Sequence, residues 1–208
     1  MTKIFPNLAF NAALKDIIDK GELISQDEDG QNIPFVVRVV SKNHIGELGY
    51  RDFPLGPLLA KGAPKQQALF ELGKFCAVNE ILPTAIFTIA ESWYVTSKDA
   101  RKGENLENIA PSQHPNRKEA LVIAGLTPDN RSNFAMVPLT RDKDNRISFG
   151  KPDIQLYKKS SNERTKATLL YEFWSGFLTE MSITKGERAD GIGGTTGGRK
   201  KFSEYVPS

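Results

Sequence analysis

Two carboxylates, an imidazole and three guanidinium groups are the side chains whose types and spacing can do chemistry in this chain. Glu91 falls inside the apolar run 84–96, TAIFTIAESWYVT. Side chains alternate along a strand, so Glu91 shares a face with Phe87, Ile89 and Trp93. A lone carboxylate there needs a partner, a proton or nearby water, because burying it otherwise is costly. A second acid repeats the pattern: Glu119 shares a face with Arg117, Leu121 and Ile123. If these two strands are neighbours, Glu119 approaches Glu91, and His114 lies just upstream in PSQHPNRKE.

One reading is a polar pocket of Glu91, His114, Arg117 and Glu119. Two carboxylates and an imidazole can divide acid and base roles, or hold a hard divalent cation. The simpler reading is a structural ion-pair network that pins the loop 97–116 to the sheet, with Arg38 and Arg141 as counter-ions. The catalytic residues are therefore unassigned, with Glu91, His114 and Glu119 as candidates. Arg38, Arg117 and Arg141 are the candidate binding cations.

Other chemistries are less well founded. Cys76 is the one cysteine, so the chain has no internal disulfide and no cysteine-based zinc site. It follows Leu69 and Leu72 at helical spacing and reads as a core thiol in a protein of a reducing, cytoplasmic compartment. His44 sits in a turn without a ligand-spaced partner, so no metal or other cofactor is implied. The glycines of 191–198 lack the strand before and the helix after that a phosphate cradle requires. Asp27-x-Asp29-Gly30 and Asp142-x-Asp144 read as turns, lacking the rest of a calcium loop. Arg199, Lys200 and Lys201, with Phe202 and Tyr205, can touch nucleic-acid backbone and stack on bases, or simply solubilise a tail.

The segment Glu91-Ser92-Trp93, followed by PSQHPNRKE over 111–119, resembles a pattern in uncharacterised bacterial and phage proteins. There an E-x-W strand precedes a P-S-x-H-P-x-R-x-E stretch and a further strand. The resemblance covers about 84–141 and implies no activity, cofactor or catalytic residue.

The elements that must position these residues follow from periodicity. Apolar spacing predicts helices over 7–20, 65–82 and a last one carrying Leu170, Phe173, Trp174, Phe177, Leu178 and Met181. Ser160 and Glu163 form a candidate capping box ahead of it. Strands are expected over 33–40, 84–96, 118–125 and 133–141, with short edge strands at 147–149 and 154–157. The Pro- and Gly-rich stretch 46–64 reads as irregular.

With 39% hydrophobic and 25% charged residues, the chain is globular in composition. Its net charge of +3 is too small and too dispersed to signal nucleic acid. The opening stretch has no uninterrupted apolar run, so a signal peptide is not expected, and no run is long enough to span a membrane.

The expected fold is α+β: a mainly antiparallel sheet of about five strands with about three helices. One globular domain over 1–186 is followed by a flexible, Gly-rich basic tail over 187–208. Three functions fit: a non-catalytic binding or assembly protein of bacterial or phage origin, with a protein partner or self-association; a small-molecule or metal-dependent hydrolase centred on Glu91, His114 and Glu119; and a nucleic-acid binder through the tail.

Overall fold

A computed structural model describes residues 15–17, 19, 33, 35–43, 45–96, 98–99, 109–129, 132–144, 146–156 and 168–189. The elements run β1 (Val36–Lys42), β2 (Leu48–Pro54), α1 (Gly56–Ala60), α2 (Lys65–Val78), β3 (Pro83–Tyr94), β4 (Lys118–Leu126), β5 (Ser132–Arg141), β6 (Ile147–Phe149), β7 (Asp153–Leu156) and α3 (Thr168–Ala189). A single 3-10 turn, Pro111–Gln113, precedes β4. The fold is α+β, as the periodicity predicts, but the sheet holds seven strands rather than about five. They hydrogen-bond in the order β2-β1-β3-β4-β5-β6, with β7 also on β5. No described helix is long and apolar enough to cross a membrane.

The chain divides into two compact units. One comprises 36–88, 125–132 and 158–208. Here β1 and β2 form an antiparallel hairpin, Val36 opposite Pro54 through Lys42 opposite Leu48. Its turn is closed by Asn43, whose Oδ1 accepts the N–H groups of Ile45 and Glu47. Gly46, at φ +86, supplies the left-handed residue that such a turn requires. The expectation that 46–64 is irregular therefore fails at β2 and α1. Prolines 54 and 57 mislead there, because each stands where no N–H is needed, at a strand's last residue and in a helix's first turn.

Helix α2 ends at Val78, four residues before the expected end. Its stop is a Schellman turn: Ile81 N–H donates to Cys76 O, and Glu80 N–H donates to Ala77 O. Glu80 takes the left-handed position at φ +56, where glycine is usual. With no glycine to announce it, this end is invisible in the sequence.

The two long helices of this unit cross backbone to backbone. A Cβ on Gly73 of α2 would lie 2.0 Å from the Phe173 carbonyl oxygen, and one on Gly176 of α3 would lie 2.0 Å from that of Phe70. Side chains around the crossing are buried: Leu69, Leu72 and Cys76 on α2, Leu170, Phe173, Trp174 and Phe177 on α3. Edge-to-face contacts link Phe173, Trp174 and Phe177, with ring centroids 5.3 and 6.1 Å apart. Leu178, expected on the buried stripe, is exposed, because α3 turns Gly176 inward instead. Phe75 packs edge-on against Phe53 of β2 at 5.9 Å.

The other unit comprises 1–35, 89–124 and 133–157. Ala120, Leu121, Ile123, Ala135 and Val137 are its fully buried strand residues. β6 and β7 pair antiparallel with β5. Between Met136 and Leu139 β5 advances three residues, while the facing chain advances four, from Phe149 to Asp153. The extra residue is a bulge over 150–152. It lies opposite Pro138, whose carbonyl accepts the Gly150 N–H at 2.8 Å. A strand residue's N–H and C=O point the same way, so the donor that proline lacks would have faced this break.

The expected first helix, 7–20, lies mostly outside the described residues, as do the capping box at Ser160 and the tail residues Arg199, Lys200 and Lys201. Helix α3 itself runs through Gly186 to Ala189.

The glycine crossing makes a direct prediction. Gly73→Ala forces a methyl group onto a backbone oxygen that no rotamer change can move. It should lower unfolding stability by about 1–3 kcal/mol or more, measured by urea denaturation, and Gly176→Ala should behave alike.

Candidate functional site

The sequence-predicted acids sit on neighbouring strands: Glu91 on β3 and Glu119 on β4. Arg141 comes from the end of β5, the next strand in the sheet. Its Nη2 donates to Glu91 Oε1 at 2.5 Å and its Nε donates to Glu119 Oε2 at 2.7 Å. To reach Glu91 the guanidinium must span two inter-strand spacings, close to 10 Å. Arginine has both the length and the several fixed donors that two separate carboxylates require. All three side chains are mostly buried, with 17% of Arg141, 18% of Glu91 and 24% of Glu119 exposed.

Burial pushes the Glu91 carboxyl above its ordinary value of 4.5. The Arg141 charge pulls it back, Glu119 pushes it up further, and the Ile33 N–H that Glu91 accepts favours the ionised form. One donor of the clasp, Arg141 Nη1, is buried without an acceptor. The two acids are thus committed to one permanent cation. A general acid and base must instead exchange protons with a substrate they can reach.

His114 and Arg117 are placed differently from the expected pocket. His114 is wholly buried, at 0% exposure, and its Nδ1 accepts the Asn116 N–H at 3.0 Å. That bond occupies the Nδ1 lone pair, which a metal ion bound at this nitrogen would need. Arg117 lies over the Trp93 ring, its guanidinium carbon 4.7 Å from the centroid. Arg38 is not a counter-ion of Glu91. It faces Asp52 across the hairpin and forms a two-pronged pair with it, Nε to Oδ1 at 2.7 Å and Nη2 to Oδ2 at 2.8 Å. Its guanidinium also stacks on Tyr50, 3.9 Å from the ring centroid. Among the described residues, no group of three or more His, Cys, Asp or Glu side chains is placed to hold a metal ion. His44 lies outside those residues.

Sequence reasoning overlooked Asp99. Its carboxylate accepts the Thr96 N–H and hydroxyl and pairs with Lys118 at 2.7 Å, while its carbonyl accepts from Asn116. These bonds hold the Asp99 carboxyl down at about 2, the Lys118 bond weighing most, and raise the Lys118 ammonium. The signal was present as Thr96-x-x-Asp99, the spacing of a capping box. Asp99 thus ties Thr96 and Asn116 to Lys118 at the start of β4.

A second region emerges from the hairpin. β2 ends the strand order, so no described strand pairs with its outer side. Six of its seven residues are exposed, Phe53 alone being half-buried. Asn43 N–H donates to Glu47 O at 2.9 Å, so the backbone of Glu47 points toward β1. Backbone direction alternates along a strand, so Leu48, Tyr50 and Asp52 present their N–H and C=O groups outward. Leu48 and Tyr50 are each 45% exposed, and Leu82, beyond the Schellman turn, is 59% exposed. Residues 41–43, 47–51 and 79–82 line a cleft of about 620 Å³ between them. Of the nine large apolar side chains exposed among the described residues, five (Ile45, Leu48, Tyr50, Val78 and Leu82) come from the hairpin and the end of α2.

Comparison with known proteins adds no relative: no family model, no curated protein and no solved structure matches this chain.

The clasp predicts a pH signature. The Glu91 carboxyl is raised in the folded state, so its contribution is present below the ordinary 4.5 and is lost as pH rises through the raised value. Glu91→Gln should therefore flatten the fall in stability as pH rises above 4.5, read from urea midpoints. Arg141→Met should push the Glu91 carboxyl higher still, followed by NMR titration, and cost roughly 1–3 kcal/mol.

Proposed function

We propose that this chain is a non-catalytic binding or assembly protein that engages an extended segment through the open edge of β2. The observation carrying this reading is the β2 strand itself, terminal in the sheet, exposed along its length, with outward backbone groups at Leu48, Tyr50 and Asp52. An added strand gains affinity from main-chain hydrogen bonds and selectivity from alternate side-chain positions. The cleft beside the edge offers Leu48, Tyr50 and Leu82 as apolar anchors, with Lys42, Arg51, Glu47 and Glu80 balancing in charge around them. The same reading leaves Glu91, Arg141 and Glu119 a structural task, since one guanidinium already bonds both carboxylates.

The test is selection from a random peptide library against the purified chain. Extended binders should emerge, and Leu48→Pro should abolish their binding, because it deletes an outward donor without removing a bond to β1. Glu91→Gln should bind them unchanged. No binders, or binders indifferent to Leu48→Pro, would overturn the proposal.

A further inference from the structure

We infer that the segment docking on β2 is the β2 strand of a second copy of this chain, antiparallel, about a two-fold axis through Gly49. The inference rests on β2 being a binding edge and names its occupant.

Opposed residues in an antiparallel pair must be of one class, both hydrogen-bonded to each other or both not. A strand paired with its own copy thus has its two-fold axis through a residue, never between two. Each choice of axis sets a register. An axis through Arg51 or Asp52 places like charge directly on like charge, which is unfavourable. One through Tyr50 sets the apolar Leu48 against the partner's Asp52.

An axis through Gly49 matches the opposed pairs over residues 47 to 51. Leu48 faces the partner's Tyr50, and Tyr50 faces the partner's Leu48. These are outward residues, so each pair exchanges both of its N–H···O bonds, and four apolar side chains meet on one face. On the other face Arg51 opposes the partner's Glu47, twice over by symmetry. Cross-strand apolar and opposite-charge pairs are the contacts that stabilise sheets.

Gly49 supplies an independent argument. Glycine inside a strand weakens it and often marks the close approach of another backbone. Among the described residues no neighbour accounts for Gly49: a Cβ there meets no atom within 4 Å. On the axis, two opposed and non-hydrogen-bonded residues bring their Cα atoms to about 4.5 Å, where a missing side chain is useful. The association is isologous and closed, as two-fold pairs are.

Cross-linking tests the axis directly. A Cα separation of about 4.5 Å lies within the range a disulfide bridges. The Gly49→Cys variant should form a disulfide-linked dimer under mild oxidation, well ahead of Lys61→Cys, an exposed control in the turn after α1. Cys76 stays silent in both, being buried with its thiol pushed up to about 12. In sedimentation equilibrium the wild type should dimerise. Arg51→Glu should weaken the dimer at least about ten-fold, and the double variant Glu47→Arg, Arg51→Glu should restore it, with circular dichroism confirming the fold of each. A wild type that stays monomeric, or a dimer indifferent to Arg51→Glu, would overturn the inference. So would Gly49→Cys cross-linking no faster than Lys61→Cys. Library peptides lost with Leu48→Pro, alongside a monomeric wild type, would sink the second copy but keep the binding edge. Absence of both would sink both.

Discussion

The constraint on which most else in the hairpin unit depends is the backbone contact between α2 and α3. Gly73 and Gly176 each lie against the other helix's carbonyl, so the helices approach closer than any side chain would permit. That approach fixes α2, and α2 fixes Phe75, whose ring meets Phe53 on β2. Phe53 shares its face of the strand with Gly49 and Arg51. The opposite face is held by a different device: Arg38, bonded to Asp52 and stacked on Tyr50. β2 is thus secured through both faces while its outer edge stays open to water.

Arg141 performs the corresponding service for the other unit. Two acids on adjacent strands would repel each other if both were ionised, and burial would penalise each. A single guanidinium reaching across β4 answers both at once. The arrangement resembles an active site in composition, and its hydrogen bonds are those of a clasp. Glu91 Oε1 and Glu119 Oε2 each accept a bond from Arg141, and His114 Nδ1 accepts one from a backbone amide. Composition lists the groups that could do chemistry; hydrogen bonding decides which are free to do so.

This explains how much was legible in the sequence. Alternation along 84–96 and 117–125 places Glu91, Trp93, Arg117 and Glu119 on faces that the structure populates with Arg141 and with each other. Period-2 patterning suffices there because the strands are long and apolar. It fails at β2, whose composition is that of a loop: glycine, charge and proline in seven residues, with no buried face to impose alternation. Arg38 was misassigned for the same reason. Its true partner, Asp52, sits on the strand that could not be seen. The end of α2 was hidden because Glu80 occupies a position where the usual sign is glycine. The candidate edge was therefore less legible than the acid cluster.

The bulge opposite Pro138 has a consequence for the number of molecules an assembly can contain. A sheet grows wherever it offers an unbroken row of donors and acceptors. At β6 and β7 that row is cut into pieces of three and four residues, with one residue looped out between them. Such a fragmented margin is a poor template, whereas β2 is continuous over seven residues. If β2 pairs with its own copy as inferred above, the broken β6–β7 margin offers no comparable row for further growth, which favours a closed pair over a filament.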